Sequence, residues 1–234
     1  MNHTVSTPHN LEVLYEDNHI IAVNKRSSDI VQGDKTGDKP LSEVVKQWLK
    51  VKYNKPGNVF AGVVHRLDRP VSGVIVFAKT SKALARLNEM FKDQSVEKKY
   101  VAAVCAAPPK VEGVLENYLI KDAAKNKSRV VSHKNKKGKK AVLEYRLLGK
   151  SDSYFFLEVE LHTGRHHQIR VQLSAMGCSI KGDLKYGAPR SNPDGSIHLH
   201  AAQLSFVHPV SKEFIQIRAP FPNDPVWNAV EKMT

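Results

Sequence analysis

The sequence predicts an α+β fold, a largely antiparallel mixed sheet with flanking helices and a central cleft. Three observations predict it. Strand-like segments outnumber helical ones, and several lie close enough in sequence to pair as hairpins. No glycine-rich GxGxxG turn or P-loop follows a strand, which argues against a nucleotide cofactor.

Residues 11–25, LEVLYEDNHIIAVNK, read as a hairpin of two apolar, β-branched runs joined across 16–19. Residues 26–40, rich in Ser, Gly, Asp and Lys, read as a loop. Within 41–53, Val44, Val45, Trp48 and Leu49 share one helical face, Ser42 is placed to cap the start, and KPGN breaks the end. Residues 80–94 form a second helix, capped by Thr80 or Ser81, with Leu84, Leu87 and Phe91 as its buried stripe. A strand over 98–107 stops at Pro108 and Pro109. AVLEYRLLGK and YFFLEVELHTG give two more. In the second, Phe155, Leu157, Val159 and Leu161 oppose Phe156, Glu158, Glu160 and His162. Residues 166–177 turn helical, with Ile169, Leu173 and Met176 aligned, Thr163 as a cap and Gly177 as the stop. IHLHAAQLSFVHP and FIQIRAPFP are late strands. Asp224 and Pro225 then open a short C-terminal helix.

The chain has 234 residues and no apolar run near the roughly 20 needed to cross a bilayer. The N-terminus lacks the basic-then-apolar order of a secretory signal. Two distant cysteines, Cys105 and Cys178, form no CxxC pair, which fits a reducing cytoplasm. The expected localisation is therefore cytoplasmic, with no membrane partner. The informative number is charge: 36 Lys and Arg against 23 Asp and Glu leave +13. Such an excess attracts polyanions, nucleic acid above all. Residues 121–140, KDAAKNKSRVVSHKNKKGKK, hold nine Lys or Arg and one acid, so +8 sits in one stretch. A solvated hairpin tip explains it, with its turn at Gly138. A mobile basic hairpin that grips a phosphate backbone, through Lys136, Lys137 and Lys139 among others, explains it better.

The chemistry gathers in VVHRLDRPVSGVIVFAKT (63–80), where Asp68 stands between Arg66 and Arg69. In extended backbone Arg66 and Asp68 point one way, His65 and Leu67 the other. Pro70 and Gly73 turn the chain before the next buried run. A carboxylate at a strand end beside a loop is a common place for a working residue. Taken alone, an ion pair closing a turn accounts for it as well. The second element is ELHTGRHHQIR (160–170), two arginines and three histidines at a strand-to-helix junction. Arg165, His167 and the helix start suit an anion. Arg170, one turn in, can reach a carboxylate and hold it ionised, and an ionised carboxylate in a dry cleft is a nucleophile or a base. His162, His166, His167, His198 and His200 are zinc-ligand types, but no cysteine pair or HExxH accompanies them, so no metal is expected.

HRLDRPVSG, then TGRHHQIR, then GCSIKGDLKYG together resemble the RluA family of RNA pseudouridine synthases, over nearly the whole chain. That resemblance implies the pseudouridine synthase fold and an isomerase that converts uridine in RNA to its C-glycoside without cofactor or metal. It places the catalytic aspartate at Asp68, a uracil-stacking tyrosine at Tyr100 of EKKYVAAV, and the aspartate's arginine partner at Arg170. Read without the family, Tyr100 is an ordinary core aromatic. Arg66 falls on the arginine that enters the RNA stack where the uridine is flipped out. The chain departs at NKRSSD, where the family has NKPAG, though Lys25 is kept. It departs again at Pro70 and Val71, where the family has Asp and Thr, and at Gln172, where many members have His. The resemblance further implies a short extension over residues 1–10, one catalytic domain over 11–234, no S4 domain, a monomer, and an rRNA or tRNA stem-loop as partner. The competing readings are a catalytically inactive RNA-binding module on the same scaffold and a metal-dependent hydrolase.

Overall fold

A computed structural model describes residues 5–34, 36–231 and 233. The chain divides into two compact units, residues 1–97 with 201–220 and residues 98–200 with 221–234.

The first unit is built on a sheet ordered β1 (Val13–Glu16), β2 (Ile20–Lys25), β4 (Ser72–Ala78) and β10 (Leu199–Val207, from Ala201 onward in this unit). β3 (Gly62–Val63) pairs with β4 and β11 (Phe214–Arg218) with β10. Within the turn before β2, Asp17 Oδ1 accepts the N–H groups of His19 and Ile20 at 2.7 and 2.8 Å, fixing the expected hairpin. β4 is buried at all seven positions, as a strand covered on both faces must be, and this explains its unbroken apolar run. Gly73 at its start has φ +119, and a Cβ there would lie 2.3 Å from the Ala201 carbonyl oxygen, so only glycine fits.

Helix α1 spans Leu41–Lys52 and buries Leu41, Ser42, Val44, Val45 and Leu49. Ser42 does not cap it. The N-cap is Pro40, without a side-chain hydrogen bond, and Ser42 is enclosed in the first turn. Helix α2 spans Ser81–Lys92 and is capped as expected, the Thr80 hydroxyl accepting the Ala83 N–H at 3.1 Å. Its stripe is narrower than predicted. Leu87 is fully buried, Leu84 leans over Gly62, and Phe91 stacks on His65.

The second unit is an antiparallel run ordered β5 (Glu97–Val104), β9 (Phe155–Leu161), β8 (Lys139–Lys150), β6 (Glu112–Asp122) and β7 (Lys127–Val131). β9 alternates as expected through Leu157, Val159 and Leu161, while Phe156, predicted to face away, is also buried. Helix α3 (Gln168–Ala175) packs on the β6–β8 side, where Val171 joins Leu119, Ala141 and Tyr186. Tyr186 sits on a single 3₁₀ turn, Leu184–Tyr186. Helix α4 (Pro225–Glu231) starts as predicted, Asp224 Oδ1 accepting the N–H groups of Val226 and Trp227.

The expected start of α3 is corrected. Its N-cap is His167, in a left-handed conformation at φ 54, with no side-chain cap bond. Thr163 is used elsewhere: its hydroxyl accepts the Val142 N–H at 2.9 Å and donates to Gln168 Oε1 at 2.8 Å. Gln168 Oε1 also accepts the Arg165 N–H at 2.9 Å, folding this glutamine back on the turn that precedes the helix.

Candidate active site

In the first unit the HRLD segment leaves β3 extended and meets β4 through a turn, with the Val71 N–H donating to the Asp68 carbonyl at 3.0 Å. Burial follows the predicted alternation at Arg66, which is exposed, and Leu67, which is buried, while His65 and Asp68 are alike half-buried. His65 Nε2 accepts the Val76 N–H at 3.1 Å, which fixes its proton on Nδ1. With its ring 4.6 Å from Phe91, His65 anchors the motif to β4 and α2.

Arg69 is not turned toward its neighbour in sequence. Its guanidinium donates to Asp38 at 2.7 Å and Thr36 at 2.9 Å and lies 3.8 Å from Asp34, so it holds the 34–38 loop. The two arginines around Asp68 therefore have separate tasks, one presented at the surface and one closing a loop.

Beneath this turn lies Lys25, with 0% of its surface exposed. Its ammonium donates to three backbone carbonyls, Arg26 at 2.9 Å, Arg69 at 3.1 Å and Val71 at 2.7 Å. Two of these belong to the three residues that follow Asp68, so one cation shapes the loop carrying the carboxylate. Burying a lone ammonium costs several kcal/mol, and charge-assisted bonds to carbonyls offset part of that. Burial pushes Lys25 down to about 7, with the Asp29 and Asp68 carboxylates pulling the other way. The sequence showed that Lys25 was kept. It did not show that it clamps a loop 46 residues on.

In the second unit Tyr100 lies on β5 opposite Val159 and is 9% exposed. Lys98, two residues earlier and on the same face, is buried enough to lower its ammonium's affinity for a proton. Arg170 is buried in α3 and makes a two-pronged ion pair with Asp183, Nε to Oδ2 at 2.7 Å and Nη2 to Oδ1 at 2.8 Å. Asp183, only 1% exposed, belongs to the GDLKYG motif, and no role was read for it from sequence. The signal was present as a lone acid between Lys181 and Lys185.

The histidines do not form one cluster. His162 faces outward against Glu144, while His198 and His200 pack with Trp227. His166 and His167 stack at 3.8 Å. His167, read from sequence as suited to an anion, is buried, with its Nδ1 2.9 Å from the Tyr186 hydroxyl. Its left-handed backbone at the helix start turns the ring inward. Arg165 is exposed, its Nε donating to the Lys140 carbonyl at 2.9 Å. All nine basic side chains of 121–140 are exposed, on the β6–β7 hairpin and the following turn. Lys136, Lys137 and Lys139 are among them, and Lys140 is paired with Glu116 at 2.9 Å. β6 itself was not read from sequence.

Residues 19–175 match the family model described as RNA pseudouridylate synthase. Ribosomal large subunit pseudouridine synthase D of Zymomonas mobilis is 32% identical over 224 residues, covering 92% of this chain and 70% of that protein. The protein of the same name from Xanthomonas campestris is 34% identical over 227 residues, covering 92% and 67%. Among solved structures, human RNA pseudouridylate synthase domain containing 4 superposes with a TM-score of 0.78 at 24% identity, over 94% of this chain and 92% of that one, a likeness of fold.

Proposed function

The chain belongs to the RNA pseudouridylate synthase family and is an isomerase acting on RNA, and from that premise we propose that Asp68 starts the reaction on a uridine flipped out of its helix. Extruding the nucleotide costs a few kcal/mol, which phosphate contacts offset. Asp68 acts on the ribose, by attack on C1′ or by taking the C2′ proton. The C1′–N1 bond breaks, uracil turns, and a C1′–C5 bond forms as Asp68 leaves C1′ or returns the C2′ proton; C5 then loses its proton and N1 takes one up. The overall change is an isomerisation, with no net gain or loss of electrons. Tyr100 stacks on the uracil and is placed to receive the C5 proton. Arg170 orients the aspartate. Arg66 fills the gap left in the stack, and Arg165, Lys136, Lys137 and Lys139 hold the backbone. Large-subunit ribosomal RNA is the proposed substrate class, because the relatives named above are ribosomal large subunit enzymes.

The observation that carries this reading is the loop under Asp68. A fully buried ammonium holds its carbonyls, and Gly73 fits its outgoing strand against Ala201 with no room for a side chain. A loop so constrained holds a carboxylate in one place before substrate arrives. The test is tritium release from RNA labelled at uridine C5. Wild-type protein releases it, while Asp68→Asn binds the RNA and releases none. A wild-type protein that binds RNA tightly and never releases tritium from any cellular RNA pool would make the chain an RNA-binding module instead.

A further inference from the structure

We propose that Tyr186 is a positioning residue that ties the basic strand β7 to Arg170, so that grip on RNA and placement of the guanidinium are set together. The proposal rests on the role given to Arg170 above.

Tyr186 is 4% exposed and meets both partners at once. β7 ends the strand order of its unit, so the outward backbone groups of its far edge need partners from elsewhere. The Tyr186 hydroxyl supplies one, accepting the Ser128 N–H at 2.7 Å. The same oxygen lies 2.9 Å from His167 Nδ1, at the start of α3. The ring carries two cations. The Arg170 guanidinium carbon lies 5.1 Å from its centre and the Lys127 ammonium 5.2 Å. Asp183 grips the guanidinium by Nε and Nη2, so ring and carboxylate together define its plane.

A second set of bonds fastens the same strand. The Ser128 hydroxyl donates to the His166 carbonyl at 2.7 Å and lies 2.9 Å from His166 Nδ1, whose Nε2 is 3.1 Å from Asn126 Oδ1. Lys127 and Ser128 are thus adjacent residues of a charged strand, one on the ring and one on its hydroxyl. When phosphate engages the exposed lysines, any shift of β7 passes to Tyr186 and so to the plane of Arg170.

A purely structural Tyr186 would fill the space beside Leu119, Ala141 and Val171 and do nothing more. Tyr186→Phe separates the two roles, because it keeps the ring and removes only the oxygen. The expected result is a kcat about 5- to 10-fold lower with KM for RNA changed less than about 3-fold, as the hydroxyl's bonds to the Ser128 N–H and to His167 Nδ1 are lost. Coupling adds a second signature. Lys127→Ala is expected to lower kcat as well as affinity in the wild type, and affinity alone in a Tyr186→Leu background, which lacks the ring. Arg170→Lys tells the role of Tyr186 from that of Arg170. If Arg170→Lys is impaired while Tyr186→Phe has wild-type kcat, this inference is overturned and the role of Arg170 stands. If Arg170→Lys turns over at the wild-type rate, the underlying reading of Arg170 falls first.

Discussion

Two buried cations, Lys25 in the first unit and Arg170 in the second, are tied to the proposed chemistry, and they are stabilised in opposite ways. Lys25 is surrounded by carbonyl dipoles, three of them within hydrogen-bond distance. Arg170 is matched edge to edge with the Asp183 carboxylate. Dipoles tolerate a cation that can shed its proton, whereas an ion pair demands one that cannot. The difference follows from the task. Lys25 holds backbone, and a compact ammonium with rotating donors reaches three carbonyls of an irregular loop. Arg170 has to present a plane in one orientation, and a fork held by a carboxylate does that.

The largest effect expected from this contrast is at Asp183. Asp183→Asn keeps the shape of the side chain and removes the negative charge from the two-pronged pair with the buried guanidinium. Loss of one partner of a buried pair costs about 3–5 kcal/mol. Thermal unfolding is expected to show a drop of that order, with tritium release falling further than stability explains when both are measured well below the melting temperature. A variant as stable as wild type would mean that the pair contributes little.

Lys25 sharpens the comparison, since its effect depends on pH. Lys25→Met takes the ammonium donor away from the carbonyls of Arg26, Arg69 and Val71, at a net cost of roughly 2 kcal/mol once the relieved burial of charge is set against it. The sign of the pH dependence follows from its proton affinity. In the folded protein Lys25 is lowered from 10.5 to about 7, so between those values the unfolded chain binds more protons than the folded one. Stability from this group therefore rises with pH across that window, and the penalty of a buried charge is complete only below about 7. The gap in unfolding free energy between wild type and Lys25→Met is expected to widen from pH 7 toward pH 10. Denaturant titrations at several pH values measure it, and a gap that stays constant or narrows would show that Lys25 keeps its proton throughout.

The same contrast explains what sequence revealed. Periodic and local features were legible: the hairpin turned by Asp17, the α2 cap at Thr80, the α4 cap at Asp224, and a chain turn at Pro70. So was the irregular loop over HRLD, where the chemistry is proposed. The residues that hold the two cations were not. Lys25 acts on Arg69 and Val71 across more than forty residues of irregular chain, and Arg69 reaches back to Asp38 across another loop. No spacing rule connects such pairs. Asp183 lies only 13 residues from Arg170, but the end of α3 and turns at 176–177 and 181–182 intervene, so neither helical nor strand periodicity aligns them. The α3 start was misplaced for a related reason. Thr163 is a good capping residue by type, yet a bond to β8 had already taken its hydroxyl. Burial of the histidines was hidden too, because a polar residue type says little about which side of a left-handed turn it falls on.

The smallest expected effect tests whether the basic surface belongs with the Arg170 side at all. Lys136, Lys137, Lys139 and Lys140 lie in or beside the turn between β7 and β8, in the same unit as Arg170. Replacing all four with Ala removes exposed charges that pack no core, so thermal stability is expected to stay within about 0.5 kcal/mol of wild type. Affinity for RNA is where the change emerges. Every phosphate that goes unneutralised reduces the slope of log affinity against log salt by about 0.7 to 0.9. Lys140 already has Glu116 as a partner, so three of the four carry the expected effect and the slope is expected to flatten by about 2. Salt titrations of RNA binding give that number directly. An unchanged slope would take this turn out of the interface and leave Lys127 as the hairpin's link between RNA and Arg170, a link that runs through the Tyr186 ring.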